Sequence, residues 1–577
     1  MGALLIMLVA FVGYIVMYQL YGKFVGKKIF ALDDKEKVPS VEFEDGVDFV
    51  PTKKEVIFGH HFSSIAGTGP IVGPAIAVIW GWLPALLWVF LGSIIMGATH
   101  DFGSLIISMR NEGKSISEYT GKYINRRTSL FFFFVVFLEL WIIVAIFGLV
   151  IAIIFKMYPG AVLAVWLQIP IAMVLGYYIY KKGASVNKSA VIAVILMYAT
   201  IAIGAFVPLE MPTIAGLGPI AIWTIILLIY AFTASVLPVT QLLQPRDYIN
   251  AYQLVIAMGL LVLGVFFSAF GGNLHIVAPS VNANPVGTPP LWPFLFITIA
   301  CGAISGFHSL VSSGTTSKQI RKESDSLFVG YGGMLMEGAL ATLVIIAVSA
   351  GIGMGYVSGG KTLIGVQAWT AHYSSWAAAG GLASKVGAFI DGSANLLGSI
   401  GIPKAIALVI MGVFVASFAG TTLDSATRIQ RYVLQDTFPK IFKNRYFATA
   451  VVILFAIVLV FSSGANGKGA LALWPLFGVV NQTLAALALL VVTIYLRPRT
   501  RWGWLLSALP AVFMFFMSGW AAILNQIKFG AGNHILLQTI NIIVIIAMIW
   551  ILIEGIMKFS KTKYEGKPEI HSTESPL

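Results

Sequence analysis

Six ionisable residues lie within or beside long apolar stretches, and their side chains could carry a proton: His60, His61, His100, Asp101, His308 and Glu337. An ionisable group inside a membrane-spanning segment is costly and is usually functional. Histidine titrates nearest to neutral pH, which suits a proton carrier. For each residue the structural alternative, a packed and hydrogen-bonded side chain, stays open. Because adjacent helical residues such as His60 and His61 point about 100° apart, no metal site is predicted; nor is any catalytic residue or cofactor.

Hydroxyl side chains at the end of the apolar stretch 291–312 could instead bind a coupling cation. They belong to Ser309, Ser312, Ser313, Thr315 and Thr316. A hard cation such as Na⁺ needs about six oxygens, which hydroxyls and carbonyls can supply. Ser and Thr also bond back to carbonyls of their own helix, so the coupling ion, Na⁺ or H⁺, stays open.

A second polar cluster contains Asp424, which is predicted to pair with Arg428 or Arg431 one or two turns further along a helix. That structural role is preferred to a role in binding an ion.

Two apolar stretches, 60–82 and 218–242, contain residues that interrupt helices. Proline donates no backbone hydrogen bond, and glycine relaxes the limits on φ. The N-terminal end of a half-helix carries free N–H groups and a partial positive charge, which suit a carboxylate. Two ordinary proline kinks are the alternative. The predicted substrate-binding residues are Ala66, Gly67, Thr68, Gly69, Pro70, Gly73, Ser235, Leu237 and Pro238.

The composition places these residues in a polytopic membrane protein. Of the 577 residues, 58% are apolar and 11% are charged, whereas an average soluble domain has about 25% charged residues. A helix needs about 20 mostly apolar residues to cross the bilayer. We predict an all-α fold with about fifteen transmembrane helices, at residues 3–20, 60–82, 83–107, 129–155, 160–181, 187–207, 218–242, 250–271, 291–312, 327–352, 403–423, 448–463, 469–495, 504–524 and 535–558.

The distribution of basic residues predicts the orientation, because lysine and arginine accumulate in cytoplasmic loops. With the N-terminus outside and the C-terminus in the cytoplasm, all but six of the 37 lysines and arginines face the cytoplasm. The six exceptions are Lys156, Lys361, Lys385, Lys404, Lys468 and Lys528. Topology therefore explains the net charge of +13, and no nucleic-acid partner is predicted.

The predicted spans group into two sets of five that run in opposite directions, as in an inverted repeat. Four regions follow: 1–58, a first helix and a cytoplasmic elbow; 59–210, repeat one; 211–430, repeat two; and 431–577, four further helices and a cytoplasmic tail. Residues 353–402, rich in Gly, Ala and Ser, are predicted to form an external segment with short helices within repeat two.

Several segments resemble the carbon starvation protein A family of bacterial and archaeal inner-membrane transporters. The similar segments are VDFVPTKKEVIFGHHFSSIAGTGPIVGP (47–74), HDFGSL (100–105), LQPRDYINAY (243–252), SGFHSLVSSGTTSKQI (305–320), FAGTTLDSATRIQRY (418–432) and LWPLFGVVNQTLAALAL (473–489). The resemblance implies uptake of peptides or pyruvate, often linked to nutrient starvation. It also implies the fold of the amino acid–polyamine–organocation superfamily, which is LeuT-like, with two inverted five-helix repeats.

Together these patterns favour a secondary active transporter of the inner cell membrane that imports a small carboxylate-bearing nutrient or a peptide by alternating access. The lipid bilayer and the substrate are its expected partners, and a homo-oligomer stays open. A channel, a nutrient-sensing membrane protein and an intramembrane hydrolase are the alternatives. The hydrolase is disfavoured because the sequence contains no recognisable nucleophile–base or metal constellation, so no enzymatic activity is expected.

Overall fold

The computed structural model describes residues 2–566, and most of these residues are helical. The distal part of the predicted cytoplasmic tail lies outside the described residues. In chain order the helices are α1 (Gly2–Ile29), α2 (Lys54–Ile65), α3 (Gly69–Trp80), α4 (Trp82–Met109), α5 (Ile116–Tyr123), α6 (Arg126–Met157), α7 (Gly160–Lys182), α8 (Val186–Phe206), α9 (Pro219–Val236), α10 (Leu243–Phe270), α11 (Leu291–Thr298), α12 (Gly306–Gly314), α13 (Leu327–Met354), α14 (Gly365–Tyr373), α15 (Trp376–Ala379), α16 (Leu382–Gly398), α17 (Lys404–Thr437), α18 (Arg445–Phe461), α19 (Gly469–Leu496), α20 (Leu505–Ala531) and α21 (Ile535–Lys561).

Twelve of the described helices are long and apolar enough to cross a bilayer alone, which makes this a multi-pass membrane protein. The pair α2 and α3 is bent by 45° at a short break and makes a thirteenth span if it is counted as one. Helix length and hydropathy therefore give up to thirteen spans among the described residues, fewer than the fifteen that the sequence predicts. The two remaining predicted spans correspond to the short pair α11 and α12 and to the 17-residue α18.

The helices differ in how much of their surface is buried. Almost every residue of α17 and α19 is buried among other helices. The outer helices α1, α20 and α21 expose many large apolar side chains, among them Leu5, Val512 and Ile546. A helix that is apolar on all sides suits either a protein core or lipid, so α17 and α19 form the centre and the other three face the bilayer.

The segment between α13 and α17 contains three short helices, α14 to α16, as the composition of residues 353–402 predicts. It also contains the one departure from an all-α fold among the described residues, a hairpin of strands β1 (Tyr356–Ser358) and β2 (Lys361–Leu363). The longest helix of the segment, α16, packs against α3, α13 and α17. This helix therefore covers one end of the first interrupted span.

The predicted elbow after α1 contains one short helix, Pro39–Glu42, and is tied to the ends of other helices. The backbone N–H of Val50 donates to the carbonyl of Lys318, and the N–H of Val239 donates to the carbonyl of Val47. Asp48 accepts hydrogen bonds from Arg428 (2.7 Å) and Tyr432 (2.5 Å). Burial opposes ionisation of Asp48, but nearby guanidinium groups outweigh it and hold the pKa of this carboxyl below its usual value.

Close packing of α16 against α13 leads to a test of the fold. A Cβ at Gly392 would lie 2.2 Å from the carbonyl oxygen of Ala347, so Gly392→Val is expected to cost about 1–3 kcal/mol of stability through overpacking. Thermal unfolding of the purified protein, followed by tryptophan fluorescence, measures the change. Gly398→Val on the same helix is the matched control, because no atom lies within 4 Å of a Cβ there. Equal midpoints for the two variants would contradict this packing.

Candidate functional site

The first interrupted helix breaks where the sequence predicts it, at Gly-Thr-Gly-Pro. Helix α2 ends at Ile65, and α3 begins at Gly69 with Thr68 as its N-cap residue. Among the described residues, the backbone N–H groups of Gly67 and Thr68 have no backbone acceptor. The carbonyl of Ser64, freed by the break, accepts a hydrogen bond from Thr422 Oγ1 at 3.0 Å. The break therefore exposes free donors at the N-terminal end of α3.

A second interrupted helix lies at residues 299–305, between α11 and α12, where the sequence predicted a continuous span at 291–312. Gly302 adopts a φ of +90° there, a conformation that glycine tolerates and other residues rarely adopt. Two side chains bind the freed N–H groups: Glu337 Oε1 accepts from Gly302 N (3.1 Å), and Asn481 Oδ1 accepts from Phe307 N (2.9 Å).

The predicted second break at Ser235, Leu237 and Pro238 is wrong. These residues lie at the C-terminal end of α9, which ends at Val236 before the chain turns towards α10. Proline ends the helix here because it has no N–H to donate. Arg428 then caps the helix by donating to the carbonyls of Ala234 (3.0 Å) and Leu237. A capped helix end thus stands where the sequence predicted a substrate site.

The two interruptions touch each other and leave no room for larger side chains. A Cβ at Gly69 would lie 2.3 Å from the sulfur of Cys301, in the second interruption. A Cβ at Gly67 would lie 2.2 Å from Thr422 Oγ1 on α17. The glycines are needed here for close approach, and the two interrupted helices meet in one buried region.

Four of the six predicted proton carriers form a connected array beside this region. Asp101 joins two histidines: its Oδ1 lies 2.8 Å from His100 Nδ1, and its Oδ2 lies 2.9 Å from His308 Nδ1. His308 Nε2 lies 3.3 Å from Glu337 Oε2, although the angle does not give a hydrogen bond. All four residues are fully buried. The array links α4, α12 and α13.

The other two predicted proton carriers have separate partners. His60 Nδ1 lies 2.6 Å from Asp247 Oδ2 on α10, and His61 Nδ1 lies 2.9 Å from Thr316 Oγ1 after α12. The two rings face different neighbours, as expected for adjacent residues on a helix. Asp247 was missed by the sequence reasoning, because nothing in the sequence shows that α10 packs against α2.

The hydroxyls predicted to bind a cation are largely occupied within the protein. Ser309, Ser313 and Thr315 donate to carbonyls of their own helix, as in the structural alternative. Thr316 pairs with His61, and the Ser312 hydroxyl is buried without a partner. Four of these five hydroxyls therefore already have a hydrogen-bond partner within the protein.

Asp424 has a different partner from the predicted one. It pairs with Arg246 on α10 and accepts a hydrogen bond from Tyr230 at 2.8 Å. Arg428 and Arg431 instead pair with Asp48 in the elbow. Pairing along one helix was the simplest expectation, but the elbow and α10 bring oppositely charged groups closer.

Two interrupted helices that meet beside a buried chain of titratable groups are features of a secondary transporter, and the comparisons with known proteins agree with that class. The model of the carbon starvation protein CstA family matches residues 2–521, and the chain belongs to this family.

Curated relatives in this family are named as transporters. A peptide transporter CstA of Helicobacter pylori is 34% identical over 558 residues, covering 89% of this chain and 80% of the relative. The pyruvate/proton symporter BtsT of Escherichia coli is 32% identical and covers 88% of this chain and 79% of the relative. A peptide transporter CstA of Bacillus subtilis is 30% identical and covers 97% and 98%. The protein is a transporter and not an enzyme.

Solved structures resemble the chain only distantly. The manganese transporter of Eremococcus coleocola, in complex with an aromatic bis-isothiourea compound, matches with a TM-score of 0.44 and 13% identity, covering 90% of this chain and 99% of that one. MhsT in complex with L-phenylalanine matches with a TM-score of 0.44 and 12% identity, covering 88% and 99%.

The contact between the two interruptions can be tested by a pair of compensating substitutions. Gly69→Ala is expected to lower stability by about 1–3 kcal/mol, since the new methyl group overlaps the Cys301 side chain. Cys301→Gly in the same chain should recover most of this loss, because neighbouring residues are energetically coupled. Thermal unfolding of the single and double variants measures the coupling.

Gly148→Ala on α6 is the matched control for this pair. The nearest atom to a Cβ at Gly148 is 3.6 Å away, which is an ordinary contact. Strictly additive effects of Gly69→Ala and Cys301→Gly would show that the two interruptions do not touch.

Proposed function

We propose that this protein is a proton-coupled symporter that imports a small carboxylate-bearing nutrient, pyruvate or a short peptide, by alternating access. The observation that carries the proposal is the buried array Asp101–His308–Glu337, located where the two interrupted helices meet. The family relatives named as peptide transporters and as a pyruvate/proton symporter support the choice of substrates and of the coupling ion.

We place the substrate carboxylate at the N-terminal end of α3. There the N–H groups of Gly67 and Thr68 lack backbone acceptors, and the partial positive charge of the helix end favours an anion. The corresponding end of α12 is less suitable, because the N–H of Phe307 already donates a hydrogen bond to Asn481 Oδ1. The proposed binding residues are Ala66, Gly67, Thr68, Gly69, Pro70 and Gly73.

We place the proton site on His308 because its two ring nitrogens face two carboxylates, those of Asp101 and Glu337. A buried carboxylate without a compensating charge is strongly unfavourable. A proton on this array reduces that cost, and loss of the proton restores it. Because the three residues lie on α4, α12 and α13, protonation changes how the second interrupted helix is held by its neighbours.

An arrangement of two inverted five-helix repeats would allow alternating access. We count fifteen spans when α2–α3, α11–α12 and α18 are each included. One repeat would then comprise α2–α3, α4, α6, α9 and α10, and the other α11–α12, α13, α17, α18 and α19, with α7 and α8 as an inserted pair. The second repeat would begin at residue 291 and not at residue 211.

Packing between helices supports these repeats. The third helices of the two repeats, α6 and α17, pack together, and so do the fourth helices, α9 and α18. Helix α3, in the first span of one repeat, packs against α13, the second span of the other repeat. In the reciprocal contact, α12 packs against α4, so again a first span meets the second span of the other repeat. Such reciprocal contacts are expected of repeats with inverted topology. The clustering of basic residues in alternate loops supports an external N-terminus.

Uptake into liposomes tests the substrate class and the coupling ion together. Purified protein is expected to accumulate labelled pyruvate or a labelled dipeptide when a proton gradient is imposed and sodium is replaced by choline. Uptake driven only by a sodium gradient would contradict proton coupling and would point to Thr422 and Ser425, whose hydroxyls lie beside Ser64 at the first interruption. Failure to take up either compound would contradict the proposed substrates.

The role of His308 is tested by His308→Gln. Glutamine keeps hydrogen-bonding groups but does not take up a proton at working pH, so proton-driven accumulation should fall to background. Exchange of labelled for unlabelled substrate without a gradient should continue, because the substrate site is intact. His275→Gln is the control, since His275 is exposed in the loop after α10. Continued accumulation by His308→Gln would exclude His308 as the coupling site.

A further inference from the structure

Lys385 is a buried cation in the external segment, and it has no acidic partner among the described residues. Its side chain lies on α16 and is only 5% exposed. It forms no salt bridge with any described carboxylate, whereas three of the four other buried cations among the described residues, Arg246, Arg428 and Arg431, have one. A buried ammonium without a counter-charge is unfavourable, so this position requires an explanation.

The surroundings of Lys385 are two indole rings. Its Nζ lies 5.2 Å from the ring centre of Trp474 and 6.0 Å from that of Trp376. Trp474 begins the membrane-spanning part of α19, and Trp376 begins α15. Aromatic faces attract a cation, but they supply no negative charge. Burial accordingly lowers the pKa of the Lys385 ammonium to about 8.

Two packing contacts connect the surroundings of Lys385 to α3, the second half of the first interrupted helix. Trp376 packs against Trp80 with ring centres 5.4 Å apart, and Trp80 is the last residue of α3. Helix α16 itself also packs against α3. Lys385 therefore lies at the end of α3 opposite to the free N–H groups that we assign to the substrate carboxylate.

We propose that Lys385, Trp376 and Trp474 form a capture site that binds the substrate carboxylate before it passes to the first interruption. The carboxylate would supply the counter-charge that the protein does not provide. The indole rings hold the ammonium in place and exclude water from the ion pair, which strengthens the pairing. The inference rests on the proposed function, because it assigns a second contact to the same carboxylate-bearing substrate.

Capture at this position is compatible with onward transfer. Helix α16 contacts α3, α13 and α17, so a shift of these helices during transport would move Lys385 relative to the interruption. An ion pair with a lysine is also exchangeable, since the ammonium is a compact point charge on a flexible stem. The site is therefore suited to brief binding and not to permanent retention.

The experiment compares uptake kinetics of three variants in liposomes. Lys385→Met keeps the length and apolar character of the side chain but removes the charge, and Lys385→Arg keeps the charge. Lys361→Met is the matched control, because Lys361 is an exposed lysine on strand β2 of the same segment. We expect the KM of Lys385→Met to rise about tenfold with little change in the maximal rate. Lys385→Arg and Lys361→Met should stay within about threefold of the unsubstituted protein.

The outcomes separate this inference from the proposed function. Carboxylate uptake by the unsubstituted protein establishes the function, whatever the variants do. An unchanged KM in Lys385→Met would overturn the capture site. The capture site would also be overturned if Lys385→Met and Lys385→Arg both lowered the maximal rate and the thermal midpoint. Such a shared loss would show that Lys385 has a purely structural role. If Lys385→Met does not reach the membrane, Lys385→Gln against Lys385→Arg provides the same contrast of charge.

Discussion

A backbone that is interrupted inside a bilayer must find its hydrogen-bond partners within the protein, because lipid offers none. The second interruption shows how this chain meets that requirement. Its freed carbonyls at Phe296 and Ile299 accept from Gln482 and Trp88. Its freed N–H groups donate to side chains of α13 and α19. One irregular segment is thus tied to three different helices, and the centre of the molecule is arranged around it.

The first interruption meets the same requirement only in part. The carbonyl of Ser64 is bound by Thr422, but the N–H groups of Gly67 and Thr68 have no backbone acceptor among the described residues. An unsatisfied buried polar group costs about 1–3 kcal/mol. A ligand that accepts hydrogen bonds at this point would recover that cost, so the difference between the two interruptions itself favours the first as the place where an anion binds.

The helices could be predicted from the sequence with useful accuracy. The span predicted at 160–181 is α7, Gly160–Lys182, because length and hydropathy alone determine where a helix crosses. The first interruption was also predictable, since Gly67, Gly69 and Pro70 disrupt a helix locally. The ionisable side chains were recognisable singly as candidates, because charge in an apolar stretch is conspicuous.

The second interruption and the grouping of the ionisable side chains were not predictable. The second interruption contains no proline, and it depends on Asn481 and Gln482, which lie more than 170 residues further along the chain. Pro238 gave a stronger local signal but only ends a helix. Contacts between distant segments decide such features, and composition does not reveal them.

Two of the buried charged clusters differ in kind, and the difference favours the histidine array as the place of the proposed proton coupling. Arg246 keeps its charge at any physiological pH, so its pair with Asp424 holds a fixed charge and serves to join α10 to α17. The array of Asp101, His308 and Glu337 contains no permanent cation. A proton on the array offsets part of the charge of its two carboxylates. Uptake and release of a proton would therefore change the charge of this array, whereas the guanidinium of Arg246 would keep its charge.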